Sequence, residues 1–137
     1  MKVAIVGAGA LGAVYGVRLA IVGSHDVAFV VREARAKKAE PLVLQRVDGD
    51  EETHTLDTPR YETKIPSDAD VTIVTVRQDQ LTGDLISLLA SSRAPVVILT
   101  PMFPDDFSRL VDKIGTRIFP TMPSVVSYDK NGVIRYW

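Results

Sequence analysis

The chain contains no cysteine in its 137 residues, which excludes a disulfide-stapled secreted miniprotein. It carries no excess of either charge: 16 Lys+Arg stand against 17 Asp+Glu, a net charge of −1. No global positive field therefore exists to attract a phosphate backbone, which argues against a general nucleic-acid binder. Any phosphate recognition has to come from a local site. Histidine is scarce, with only two in the chain, and neither lies among carboxylates at metal-ligand spacing, so no metal site is expected. His25 falls in a helix-to-strand turn and His54 in a charged hairpin, and both read as surface residues. No G-x-S-x-G element or Ser/His pairing suggests a hydrolase. Internal repeats, low-complexity tracts and linkers are missing, and no stretch approaches the ~20 apolar residues of a membrane span. The apolar amino terminus is no exception. Gly7, Gly9, Gly12, Gly16 and Gly23 interrupt it, and Arg18 sits inside it, so a signal peptide is not expected and the cytoplasm is the default compartment.

What is present is an ordinary globular composition, 46% hydrophobic and 24% charged. The length suits one domain able to bury roughly two-thirds of its unfolded surface. Short β-branched runs alternate with helical patterns, the mark of an α/β sheet. Strands are expected at 2–6, 27–31, 71–76, 95–99 and 117–121, forming one parallel sheet. Helices are expected between them on both faces, with right-handed crossovers. The first runs from Ala10 to Val22, with Gly23 at C′ after its last turn. A short charged helix is expected over 33–40. Leu81, Leu85, Leu88 and Leu89 mark one helix face, and Phe107, Leu110, Val111 and Ile114 another, begun by Asp105 and Asp106 and ended by Gly115. Runs 42–47 and 53–56 flank the turn signal Asp48-Gly49-Asp50, a small hairpin insertion. Runs 124–128 and 133–137 read as a final hairpin, with Tyr136 and Trp137 covering the sheet edge. The expected class is a Rossmann-like, doubly wound parallel sheet in three layers, α/β/α.

The segment Gly7-Ala8-Gly9-Ala10-Leu11-Gly12 fits G-x-G-x-x-G. Alone the pattern is weak, but here it follows a strand, opens a helix and sits in a βαβ unit of about 30 residues. Gly7 permits the tight turn, Gly9 lets backbone approach a pyrophosphate, and Gly12 lets the helix pack closely on the strand. The amides at the helix amino end face the anion. At the end of the second strand an acid would take a ribose 2′-hydroxyl, whereas an arginine suits a 2′-phosphate. Arg32 occupies that point, followed by Glu33, Arg35, Lys37 and Lys38. Arg32 favours NADP, Glu33 is the counter-argument, and Lys37 and Lys38 read as a solvated helix face.

On these residues, with Gly23-Ser-His-Asp-Val27, Val74-Thr-Val-Arg-Gln-Asp-Gln80 and Gly132-Val-Ile-Arg-Tyr136, the chain resembles the amino-terminal NADP-binding domain of the ketopantoate reductase (2-dehydropantoate 2-reductase) family over essentially all its length. The resemblance implies NADPH-dependent reduction of a 2-keto acid, ketopantoate to pantoate, in pantothenate and coenzyme A synthesis. It implies pyrophosphate on the backbone of Gly7 to Gly12 and the 2′-phosphate on Arg32. It places Gln80 at the family's glutamine. The family's lysine is replaced by Arg77, which differs in geometry. The family's asparagine near the nicotinamide is replaced by Pro101, which can donate no hydrogen bond. The family's general-acid lysine and substrate residues lie in a carboxy-terminal helical domain that 1–137 does not include.

Arg77 is the candidate group for a substrate carboxylate or cofactor phosphate, weighed against a surface ion pair with Asp79. Thr100 and Thr121 read as structural caps. The expected partner is a small-molecule 2-keto acid, with no nucleic acid and no membrane, and a docking face left open would favour a homodimer. Three functions are carried forward: a cofactor domain of an NADPH-dependent reductase, a non-catalytic nucleotide-binding or regulatory module, and a fragment whose catalytic half is separate.

Overall fold

A computed structural model describes residues 1–49 and 51–137; Asp50, the end of the Asp48-Gly49-Asp50 turn signal, lies outside them. β1 (Lys2–Val6) is apolar on both faces, as a strand covered from both sides must be. Its side chains alternate between two cores. Val3 and Ile5 point into one, Ala4 and Val6 into the other.

Around β1 run β2 (Asp26–Val30), β5 (Arg60–Glu62), β6 (Val71–Val74), β7 (Val96–Ile98) and β8 (Ile118–Pro120). They form a six-stranded sheet in the order β5-β2-β1-β6-β7-β8. Every pairing in it is parallel. The five expected strands all appear: β1 over the expected residues, β2 beginning and ending one residue earlier, and β6, β7 and β8 each two residues shorter in total; β5 is a sixth that the sequence pattern does not mark. The chain winds outward from β1 through β2 and then from β6 through β8, so the order reverses between β1 and β6. Ligands of open α/β sheets bind outside the carboxyl ends at such a reversal.

α1 (Ala10–Ile21) covers one face, and α3 (Gly83–Ser91) and α4 (Pro104–Ile114) cover the other. Leu89, Leu110 and Ile114 are buried against Val74, Val96 and Ile98, as the leucine and Phe107–Ile114 spacings predict. Gly16 lets α1 settle on β2: a Cβ there would lie 2.3 Å from the Phe29 ring.

Beyond α1 lies a second layer of strands. β3 (Leu42–Arg46) and β4 (Thr53–Leu56) form the expected antiparallel hairpin, and β9 (Ser127–Lys130) and β10 (Val133–Tyr136) form the other. The two are not separate appendages. β10 pairs parallel with β3, giving a four-stranded sheet ordered β4-β3-β10-β9. Leu42, Leu44, Ile134 and Tyr136 pack with Val14 and Val17 of α1 in the first core. The three α/β/α layers thus carry a fourth, because α1 is apolar on more than one side.

Several local expectations are corrected. Tyr136 is buried in a central strand rather than covering an edge, while Trp137 is half exposed and packs edge-on to Tyr128 at 6.0 Å. His54 faces inward, its side chain 14% exposed with Nε2 3.0 Å from Glu52, because alternate residues of β4 turn toward α1. Gly23 stands at C′ after the Val22 C-cap, as expected, but the left-handed residue is the next one, Ser24 (φ 52°), and a Cβ on Gly23 would meet the Leu19 carbonyl at 2.8 Å. α2 (Glu33–Ala36) is a single turn, since Ala39 takes a positive φ of 46° before Pro41. The last hairpin turns on Asn131 (φ 56°) and Gly132 (φ 81°), a two-residue turn with both φ positive, so Asp129 and Lys130 belong to β9.

Candidate functional site

The chain leaves β1 at Gly7, whose φ of +101° only glycine adopts without strain. Its amide donates to the Val30 carbonyl at 3.0 Å, tying the turn to β2. From the other side, the Thr75 hydroxyl reaches the carbonyls of Val6 (3.0 Å) and Gly7 (3.3 Å). Gly12 closes the loop: a Cβ on it would lie 2.1 Å from the Gly7 carbonyl oxygen and 2.6 Å from Thr75 Oγ1. Gly7, Gly12 and Thr75 therefore lock one another. Thr75 is a site-positioning residue that sequence reasoning did not single out. The one signal was its place just past β6, across the reversal from Gly7.

Gly9 differs from its neighbours. It is the N-cap of α1, and nothing lies within 4 Å of where a Cβ would stand. No side chain caps this helix end, and no acidic residue sits in its first turn. Helix amides left this way, with the positive end of the dipole, make an anion seat. Ala8, Gly9 and Ala10 also form one wall of an open cleft of about 330 Å³, whose other walls include Arg35, Glu40 and Leu42, and Asp129 and Gly132 of the β9–β10 turn. Leu11, in the first turn of α1, is half-buried.

Arg32 follows β2 and caps α2 with extended backbone (φ −65°, ψ 149°). Its side chain is exposed, and among the described residues it makes no ion pair. Glu33 is turned to Lys37, 2.8 Å away, and both are exposed. Lys38 lies on the same solvated turn.

Arg77 follows β6 and begins a 3-10 turn, Gln78–Gln80. Its guanidinium forks onto Asp79 at 3.1 and 2.8 Å, in the open. That bond, with a smaller contribution from the Arg77 charge, holds the Asp79 carboxyl below its ordinary pKa. Gln80 Oε1 accepts from the Arg77 amide at 3.2 Å, so the glutamine braces the turn. Pro101 is exposed just past β7. Beside it the Thr100 hydroxyl donates to Val76 O at 2.5 Å, and Thr121 donates to Ile98 O at 3.1 Å, both structural contacts. The glycine turn, Arg32, Arg77 and Pro101 thus follow the carboxyl ends of β1, β2, β6 and β7 along one rim of the sheet. His25 lies at the opposite end, between α1 and β2. Among the described residues no His/Asp/Glu group could hold a metal ion, and no helix is long and apolar enough to cross a membrane.

A family model described as ketopantoate reductase PanE/ApbA matches residues 3–100. The chain belongs to the ketopantoate reductase PanE/ApbA family. The match spans the glycine turn, Arg32 and Arg77 and stops one residue before Pro101. Curated proteins yield no match. Solved structures share the fold. The panE protein of Bacillus subtilis, described as "Probable 2-dehydropantoate 2-reductase", superposes with a TM-score of 0.77 at 21% identity, over 98% of this chain and 46% of its own. A 2-dehydropantoate 2-reductase from Geobacter metallireducens gives 0.71 at 20% identity, over 99% and 46%. An octopine dehydrogenase with NADH and L-arginine gives 0.73 at 18% identity, over 98% and 39%. This ketopantoate reductase-family chain spans less than half the length of those proteins.

Proposed function

We propose that residues 1–137 are the NADPH-binding domain of a cytoplasmic 2-keto acid reductase, with 2-dehydropantoate as the substrate of first choice. The observation that carries this reading is the uncapped amino end of α1 at Gly9, open on its outer side, with an unpaired Arg32 on the same rim. The amides of the Gly7–Gly12 turn would hold the pyrophosphate and Arg32 the 2′-phosphate. Ala8, Ala10 and Leu11 shape the turn; Arg77, Gln80 and Pro101 flank the path toward the nicotinamide. When bound, the cofactor supplies a hydride for the keto carbon. The chain's own part is to bind and orient it. The proton donor and most of the substrate pocket would come from a helical second domain, so turnover by 1–137 alone is expected to be negligible. Assembly as a homodimer belongs to the same proposal; one neighbour, from Staphylococcus aureus, is described as dimeric.

Calorimetric titration tests the cofactor. NADPH is expected to bind in the micromolar range with NADH clearly weaker, and Arg32→Glu is expected to remove that preference. Equal affinities overturn the NADP assignment. A ketopantoate reduction assay follows. One observation favours the second reading, a nucleotide-binding module without catalysis: Pro101 offers no hydrogen-bond donor at the end of β7. Reduction of ketopantoate by this chain alone would refute it.

A further inference from the structure

We propose that Arg35 is a second arginine of the 2′-phosphate site, and that Glu40 occupies it until an adenosine 2′-phosphate arrives. This rests on the reading of the glycine turn and Arg32 as an NADPH site.

Arg35 stands three residues after Arg32, and its amide donates to the Arg32 carbonyl at 2.9 Å. Arg32 is the N-cap of α2 and Arg35 stands in its first turn, so the two arginines leave the chain within one turn of each other. Arg35 lines the cleft of about 330 Å³ that Ala8, Gly9 and Ala10 wall on the other side. It therefore opens onto the space beside the anion seat.

The side chain is pre-positioned. Its guanidinium lies over the Tyr61 ring, 5.6 Å from the centroid, with Nη2 3.5 Å from the Tyr61 hydroxyl. Tyr61 is itself fixed. It pairs with Phe29 in the β2–β5 register, its ring lies 5.9 Å from that of Phe29, and its hydroxyl donates to the Glu40 carbonyl at 3.1 Å. Burial raises the Tyr61 hydroxyl pKa above its ordinary value, against a smaller lowering by Arg35, so the ring stays neutral at working pH. An arginine stacked on an aromatic face keeps its fork free for a planar or tetrahedral oxyanion. Of its five N–H donors, the contacts in this structure use Nη1 toward Glu40 and Nη2 toward Tyr61.

Glu40 is the competitor. Its carboxylate pairs with Arg35 Nη1 while half exposed to solvent. An exposed pair of single charges is weak, and a dianionic phosphate offers more charge and more acceptor oxygens to the same fork. The other carboxylate on the cleft, Asp129, is engaged by the Gly132 amide at 2.9 Å. A purely structural Arg35–Glu40 pair, tying α2 to the segment that leads into β3, would make no distinction between ligands with and without the 2′-phosphate.

The test is calorimetric titration of the 137-residue chain with adenosine 2′,5′-bisphosphate and with AMP, which differ only by the 2′-phosphate. Arg35→Gln is expected to weaken the bisphosphate about tenfold while AMP changes less than about twofold. Glu40→Gln is expected to tighten the bisphosphate about threefold with AMP unchanged, a gain that misfolding cannot mimic. In Arg35→Gln/Glu40→Gln the gain should vanish. The proposal is overturned if Arg35→Gln weakens both ligands equally or neither, or if the Glu40→Gln gain persists without Arg35. If Arg32→Gln abolishes discrimination while Arg35→Gln leaves it intact, the NADPH reading stands and the role of Arg35 falls. If the unmodified chain does not discriminate at all, both fall.

Discussion

Gly9 and Gly12 belong to one motif but answer to different constraints. Gly12 is held by packing, because any Cβ would press on the Gly7 carbonyl and the Thr75 hydroxyl. Gly9 has open space outside it and is needed, in this account, by the ligand. Gly12→Ala is therefore expected to lower stability by about 1–3 kcal/mol, the range for forcing a methyl into a filled site. Gly9→Ala should cost under about 1 kcal/mol, the difference between a neutral and a poor N-cap. Yet it should weaken NADPH about tenfold or more, because the methyl stands where the pyrophosphate approaches. Urea melts read alongside NADPH titration separate the two. The motif was legible because glycine spacing after a strand has a backbone meaning. Its internal division of labour was only partly so: Gly12 packs within the turn on Gly7, while Gly16 against Phe29 provides the close helix–strand approach. Thr75 escaped because a hydroxyl that braces a carbonyl across a sheet leaves no trace in local pattern.

α3 shows how an element can be stabilised from a distance. Thr82 caps its amino end, accepting from the Leu85 amide at 3.4 Å. Its carboxyl end is held by Arg117, whose guanidinium donates to the carbonyls of Leu89 (2.9 Å), Ala90 (2.9 Å) and Ala94 (2.8 Å). A cation at a helix carboxyl end meets both the orphan carbonyls and the negative pole of the dipole. Arg117→Ala should lower stability by about 2 kcal/mol, and Arg117→Lys should recover part of that loss, as thermal melts would show. A pattern of leucines predicts the helix but not a cap supplied from another element. The same limit hid β5. Arg60-Tyr61-Glu62 is short and mostly polar, and only its register against Ala28–Val30 makes it a strand. The amphipathic α4 was legible for the opposite reason, since its apolar positions repeat every three or four residues.

At the scale of the whole molecule, α1 is the central beam. One side packs on β1 and β2, the other beneath β3 and β10, and Arg18 bonds the Tyr136 hydroxyl at 2.8 Å. The two sheets share one core through α1, so they are expected to open together. Native-state hydrogen exchange should protect the paired amides of β3 and β10 to the same degree as those of β1, with β4 and β9 exchanging faster. Exchange of β3 and β10 at hairpin rates would contradict a shared core. The parallel sheet was legible from alternating apolar runs and helices, but the parallel pairing of β3 with β10 was not. It joins segments far apart in the chain, and no local signal specifies such a partner. The carboxyl-terminal part of the rim carries exposed apolar side chains, with Phe103 74% and Met122 78% exposed. The central claim, a dinucleotide site chosen for NADPH by Arg32, is tested most directly by calorimetry. The 137-residue chain and its Arg32→Glu variant would each be titrated with NADPH and NADH. The account predicts a clear preference for NADPH that disappears in the variant while NADH binding persists; equal binding of both cofactors to the unmodified chain would contradict it.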